Sequence, residues 1–86
     1  MTQKKRILIV DDHPLFREGI KAIIARNNKN EVVGETGTGR QGLQLVRKLK
    51  PDLVLVDISL PDQNGIELVR DILKLSSNTR IIVSKW

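Results

Sequence analysis

Two short apolar runs in this chain end in acid. Ile7-Leu8-Ile9-Val10 leads into Asp11-Asp12, and Leu53-Val54-Leu55-Val56 leads into Asp57. Continuous Val, Ile and Leu runs are the pattern of parallel strands buried on both faces. If both runs belong to one parallel sheet, the three carboxylates gather at its C-terminal edge, where open α/β sheets bind ligands. Three carboxylates close together repel one another. A hard cation such as Mg²⁺, which takes oxygen ligands, relieves that repulsion.

The rest of the chain alternates strand and helix. The first strand spans about Arg6 to Val10. A helix is predicted from Pro14, since proline suits a first helical turn. Phe16, Ile20, Ile23 and Ile24 form its apolar face, and Asn27-Asn28 end it. A weak strand follows at Glu31 to Glu35. A second helix runs from Gly39 to Leu49, with Leu43, Val46 and Leu49 or Lys50 on one stripe, and Pro51 stops it. The third strand is Asp52 to Val56. The loop Ile58 to Asn64 contains Pro61 and precedes Gly65. A third helix covers Ile66 to Leu75 with Ile66, Val69, Ile72 and Leu73 inward, and Ser76-Ser77-Asn78 breaks it. A last strand is expected at Arg80 to Val83. The order βαβαβαβ, with short loops and right-handed crossovers, makes a doubly wound parallel sheet with helices on its faces.

Composition narrows the function classes. The 86 residues suffice for one small domain, and there is no cysteine for a disulfide or thiolate metal site. The basic start, Lys4-Lys5-Arg6, is followed by only four apolar residues before Asp11, too few for a signal-peptide core or a membrane span. A cytoplasmic protein with no membrane contact is the expectation. The net charge of +5 is spread along the chain, and Phe16 and Trp86 are the only aromatics. That is the pattern of a solvated basic surface, and no motif supports direct nucleic-acid binding.

Each candidate site has a blander rival. Asp residues often cap helices, and one of Asp11 and Asp12 could cap the helix after Pro14. Capping explains neither both of them nor Asp57 at the matching end of another strand, so a metal-binding carboxylate cluster is the preferred reading. His13, the only histidine, is read as a loop residue beside the site rather than a catalytic one. Gly37, Gly39 and Gly42 match G-x-G-x-x-G, which makes a dinucleotide-binding βαβ unit the rival function, with Asp57 as ribose partner. That reading leaves Asp11-Asp12 unexplained and spaces Gly42 and Asp57 too tightly. A turn and close helix packing are the expected use of these glycines.

The segments Ile7-Leu8-Ile9-Val10-Asp11-Asp12-His13-Pro14-Leu15-Phe16-Arg17-Glu18-Gly19 and Pro51-Asp52-Leu53-Val54-Leu55-Val56-Asp57-Ile58-Ser59-Leu60-Pro61-Asp62-Gln63-Asn64-Gly65 resemble the two hallmark stretches of a response-regulator receiver domain. The nearest subgroup is the one whose receivers precede a LuxR-type helix-turn-helix output domain. The resemblance implies a flavodoxin-like sheet, incomplete here, with strand order 2-1-3-4. It implies that Asp57 takes a phosphoryl group from a sensor histidine kinase, so that the chain is a phosphoacceptor and not an enzyme. It implies Mg²⁺ held by Asp12 directly, by Asp11 through water, by Asp57 and by the backbone carbonyl of Ser59. Pro61 and Gly65 would shape the loop behind the site.

The family pattern continues beyond this sequence through a further helix, a fifth strand with a phosphoryl-holding lysine, and a final helix. Residues 1–86 are therefore expected to be the N-terminal part of a receiver, without an output domain, from a transcriptional regulator. Lys85 stands in the wrong element to replace that lysine, so labelling by a phosphodonor is expected to be slow. Ser84 is the candidate switch hydroxyl. One apolar residue fewer than the subgroup pattern stands before it, and a one-residue shift reverses a side chain's face, so the pattern leaves its direction open. An open fourth-strand edge predicts a homo-oligomer formed through that strand. A purely structural, self-associating fragment is the remaining alternative.

Overall fold

The computed structural model describes residues 3–84. They form β1 (Lys5–Val10), α1 (Pro14–Ala25), β2 (Asn30–Thr36), α2 (Gly39–Leu49), β3 (Leu53–Asp57), α3 (Gly65–Leu75) and β4 (Arg80–Ser84). The sheet order is β2-β1-β3-β4 and every pairing is parallel. Fold class and strand order are as the sequence implied.

The chain leaves β1 for β2 through α1, then crosses back over β1 to β3 through α2. Right-handed crossovers in opposite directions put α1 on one face of the sheet and α2 on the other, where α3 joins it. Between the sheet and α2–α3 lies the core of Leu8, Val10, Val46, Val54, Val56, Leu60, Leu68 and Ile72. Ile7 and Ile9 alternate to the α1 face of β1 and are buried as well. Among the described residues no helix is long and apolar enough to cross a membrane.

Some elements differ from the sequence reading. The weak strand is seven residues long, the longest of the four. Pairing with β1 sustains it, with a register shift where Ile7 faces Val32 and Leu8 faces Gly34. Gly34 lowers local strand propensity, yet a Cβ there would lie 3.0 Å from Leu49 and 3.2 Å from Leu8, so a small residue lets these leucines pack over the strand. Helix α1 stops at Ala25 rather than at the asparagines.

Two predicted helix faces need correction. In α1, Ile23 is 60% exposed and Leu15 more so, and no residue of the helix is fully buried. Periodicity marks an apolar arc, and nothing among the described residues packs against this flank of it. In α3, Leu68 and Ile72 are the buried side chains, while Ile66 is exposed and Leu73 is 45% exposed. Gly65 explains the rotation. Its position is so close to Asp57 and Ile58 that a Cβ would lie 2.7 Å from the Ile58 Cα. The helix start is thus pressed onto the end of β3, which turns the i+3 and i+7 positions, Leu68 and Ile72, into the core.

The outer edge of the sheet is β4, which pairs with β3 alone among the described residues. Ile82 and Val83 on it are exposed.

The corrected face of α3 gives a direct test. Leu68→Ala is expected to cost about 2–5 kcal/mol of stability by leaving a cavity. Leu73→Ala should stay within about 0.5 kcal/mol, as surface changes do. Urea denaturation of the two variants measures both, and equal losses would contradict the assignment.

Candidate functional site

The site begins with strand register. Val10 of β1 faces Val56 of β3, so the next residues, Asp11 and Asp57, emerge side by side at the C-terminal edge of the sheet. Asp11 is fixed by its N–H, which donates to the Thr36 carbonyl at 2.9 Å. Asp57 pairs with Ser84 across β3 and β4, and the Ile58 N–H donates to the Ser84 carbonyl at 3.0 Å. Residues in register on parallel strands share a face, so Ser84 lies on the Asp57 side of the sheet. The direction that the sequence left open is thereby set.

Both aspartates are almost wholly buried, Asp11 at 2% and Asp57 at 1% exposure. One ligand atom from each of Asp11, Asp12, His13 and Asp57 lies within 4.8 Å of the others. The Oδ1 of Asp57 accepts the Ser59 N–H at 2.9 Å. The Oδ1 of Asp11 accepts the His13 N–H at 2.8 Å and pairs with the imidazole Nδ1 at 2.7 Å. The two Oδ2 atoms, on Asp11 and Asp57, are buried and accept no hydrogen bond. Buried carboxylate oxygens in that state are costly. A hard cation with oxygen preference answers the need, and the donor set of Asp11, Asp12 and Asp57 suits one.

Capping does not account for the pair. His13 is the N-cap residue of α1 and makes no side-chain cap hydrogen bond.

The sequence treated His13 as a bystander, and here the structure adds to it. Its Nδ1 also stands 3.2 Å from Asp12 Oδ1 and 3.3 Å from Asp57 Oδ2. The latter is ion-pair distance without a hydrogen bond, so the Asp57 Oδ2 keeps its unfilled acceptor. The Asp11 hydrogen bond, more than the charges of Asp11, Asp12 and Asp57, raises the His13 pKa above its ordinary 6.5, against the opposing effect of desolvation. A protonated ring would place its Nδ1–H among three carboxylates. The only sequence signal was adjacency: Asp11 folds back on the His13 backbone just before Pro14 opens the helix.

The glycine motif is used for packing. A Cβ on Gly42 would lie 2.9 Å from Val10. The amides of Gly39 and Arg40 donate to the Asp62 carboxylate at 2.8 and 2.9 Å. These are the first-turn N–H groups that a phosphate would otherwise use. Lys85 and Trp86 lie outside the described residues.

Residues 7–84 match the family model described as response regulator receiver domain. The chain belongs to that family. This receiver is 41% identical over 80 residues to the transcriptional regulatory protein DegU of Brevibacillus brevis, a match covering 93% of the chain and 34% of the relative. It is 42% identical over 77 residues to the nitrate/nitrite response regulator protein NarL of Escherichia coli K12, covering 90% and 36%. The receiver thus spans about a third of the length of these curated relatives. It superposes on the crystal structure of a LuxR-family two-component response regulator from Aurantimonas sp. SI85-9A1 with a TM-score of 0.90, at 36% identity, covering 96% of this chain and 59% of that one.

The raised His13 pKa has a defined sign. The imidazolium–carboxylate contact is complete below the ordinary value and is lost as pH rises through the raised one. Asp11→Asn removes its main cause and should bring the His13 titration, followed by NMR, down toward 6.5. An unchanged midpoint would show that Asp11 is not what holds the proton.

Proposed function

We propose that this receiver takes a phosphoryl group onto Asp57 from a phosphohistidine of a sensor histidine kinase, as one step of a two-component phosphorelay. The observation that carries the reading is the buried Asp57 Oδ2, without a hydrogen bond, beside the buried Asp11. The parent protein is proposed to be a transcriptional regulator, in keeping with relatives named as such, and to be cytoplasmic. This part of it acts as phosphoacceptor only, with no turnover beyond its own phosphotransfer, no membrane contact and no direct nucleic-acid contact.

Asp57 supplies the nucleophile. Its Oδ1 is engaged by the Ser59 N–H, which fixes the carboxylate for attack on phosphorus. As the new O–P bond forms, the P–N bond of the phosphohistidine breaks and the imidazole nitrogen keeps the electron pair. Phosphoryl transfer is mostly positioning and charge neutralisation. Mg²⁺, held by Asp11, Asp12, Asp57 and the Ser59 carbonyl, would supply that neutralisation when bound. Ser84, in register with Asp57, is proposed as the switch hydroxyl, a donor to the phosphoryl group once it is in place.

A dinucleotide site at Gly37, Gly39 and Gly42 is disfavoured, since Asp62 already takes the amides that would cradle a pyrophosphate. Self-association is a separate proposal for the 86-residue chain. The exposed Ile82 and Val83 on β4 support pairing through that edge. Sedimentation at micromolar concentration tests it, and a monomer with protected amides in residues 80–83 would contradict it.

Incubation with an acyl phosphate and Mg²⁺, read by intact mass, tests the phosphotransfer. One phosphoryl adduct is expected on the native chain. Asp57→Asn or chelation of the metal should reduce labelling to background, and Asp12→Asn should slow it. An Asp57→Asn chain labelled like the native one would overturn the assignment.

A further inference from the structure

The loop between β3 and α3 does two things at once. Its first residues serve the site, since the Ser59 N–H holds Asp57 Oδ1 at 2.9 Å. Its base is closed by an antiparallel bridge between Ser59 and Asn64 and by the Gly65 N–H donating to the Ile58 carbonyl at 2.8 Å. Its tip reaches a different element. The two oxygens of Asp62 accept separately from the Gly39 N–H at 2.8 Å and the Arg40 N–H at 2.9 Å, the first two amides of α2. Beside them Gln63 packs so closely on Gly39 that a Cβ there would lie 2.7 Å from its Cδ.

This contact is more than a helix cap. Helix α2 has its own cap, in which the Thr38 hydroxyl accepts the Gln41 N–H at 3.2 Å. Asp62 takes two further amides that the helix leaves without partners. It does so with a charge, at the positive end of the helix dipole. The amides hold the Asp62 carboxyl below its ordinary pKa, Gly39 contributing most, so the tie is ionised at neutral pH. Asp62 itself is exposed, so little apolar packing holds the loop tip.

We infer that Asp62 is a positioning residue for the reaction at Asp57: it ties the β3–α3 loop to the start of α2 and so fixes Ser59, the residue that orients the Asp57 carboxylate. The inference rests on the proposed role of Asp57. It predicts that loss of the tie loosens the site without removing any group from it.

The test compares three variants in the 86-residue chain. Asp62→Ala cuts the tie. Asp62→Asn keeps one acceptor oxygen and loses the charge. Thr38→Ala weakens the cap of α2 and leaves the loop tied. The readouts are the acyl phosphate labelling rate, the Mg²⁺ concentration at half-labelling, and the amide shifts of Ser59 and Asn64. Asp62→Ala should slow labelling and raise the Mg²⁺ requirement by about tenfold, the lower range for losing an outer-shell partner of a metal ligand. It should also move both amides. Asp62→Asn should fall between it and the native chain, and Thr38→Ala should leave all three readouts unchanged. Native-rate labelling of Asp62→Ala with unmoved Ser59 and Asn64 amides would overturn the inference. So would a Thr38→Ala chain slowed as much as Asp62→Ala, which would reduce the effect to helix stability. If the native chain takes no label, the phosphoacceptor reading fails, and the amide shifts alone then decide whether Asp62 fixes the loop.

Discussion

Two carboxylates, Asp11 and Asp57, are buried next to each other at one edge of the sheet. Each would prefer water, and each repels the other. What holds them there is the apolar stretch behind them: Leu8, Val10, Val54 and Val56 are wholly buried. Moving either aspartate into solvent would mean shifting a central strand by a residue, which sends every side chain to the opposite face and disrupts the packing on both. The fold therefore stabilises an arrangement that electrostatics opposes. The opposition is answered locally by the His13 ring, whose Nδ1 lies 2.7 Å from Asp11 Oδ1, and, in the proposed function, by a metal ion.

The site is assembled from neighbours of that pair. Asp12 and His13 follow directly from β1, and Ser59 follows directly from β3. Ser84 ends β4 in register with Asp57. Arg17 adds a second support, its guanidinium donating to the Asp11 carbonyl and pairing with Glu35 at 3.1 Å. Glu35 in turn pairs with Lys21 at 2.6 Å, so the β1–α1 turn is linked to β2. The positions that matter for chemistry are thus set by strands, and the loops that carry them are tied down by ion pairs and helix-end amides.

Much of this was legible before any coordinates. The two apolar runs gave central strands because burial on both faces leaves no polar alternation to confuse them. Asp11, Asp12 and Asp57 could be placed together because residues at the ends of parallel strands share an edge. The helix faces were less legible. Periodicity marked Ile23, Ile66 and Leu73 as apolar, but which part of an apolar arc meets the sheet depends on the helix's rotation, and Gly65 sets that rotation through a contact in space. Strand β2 looked weak because its stability comes from pairing with β1. The ties made by Asp62 and Arg17 bridge residues far apart in sequence and leave no local pattern. His13 was visible as a neighbour of the site, while its place among the carboxylates required the turn that folds it back.

In the proposed function the carboxylates of Asp11, Asp12 and Asp57 form a cation site that serves chemistry at Asp57. Crystals grown with Mn²⁺, a divalent ion that takes similar oxygen ligands and gives an anomalous signal, test it most directly. One strong anomalous peak is expected at about 2.1 Å, an octahedral bond length for a small divalent ion, from oxygens of Asp12 and Asp57, with the His13 ring displaced from between them. A peak elsewhere on the surface, or an imidazole still seated among the carboxylates in saturating Mn²⁺, would contradict it.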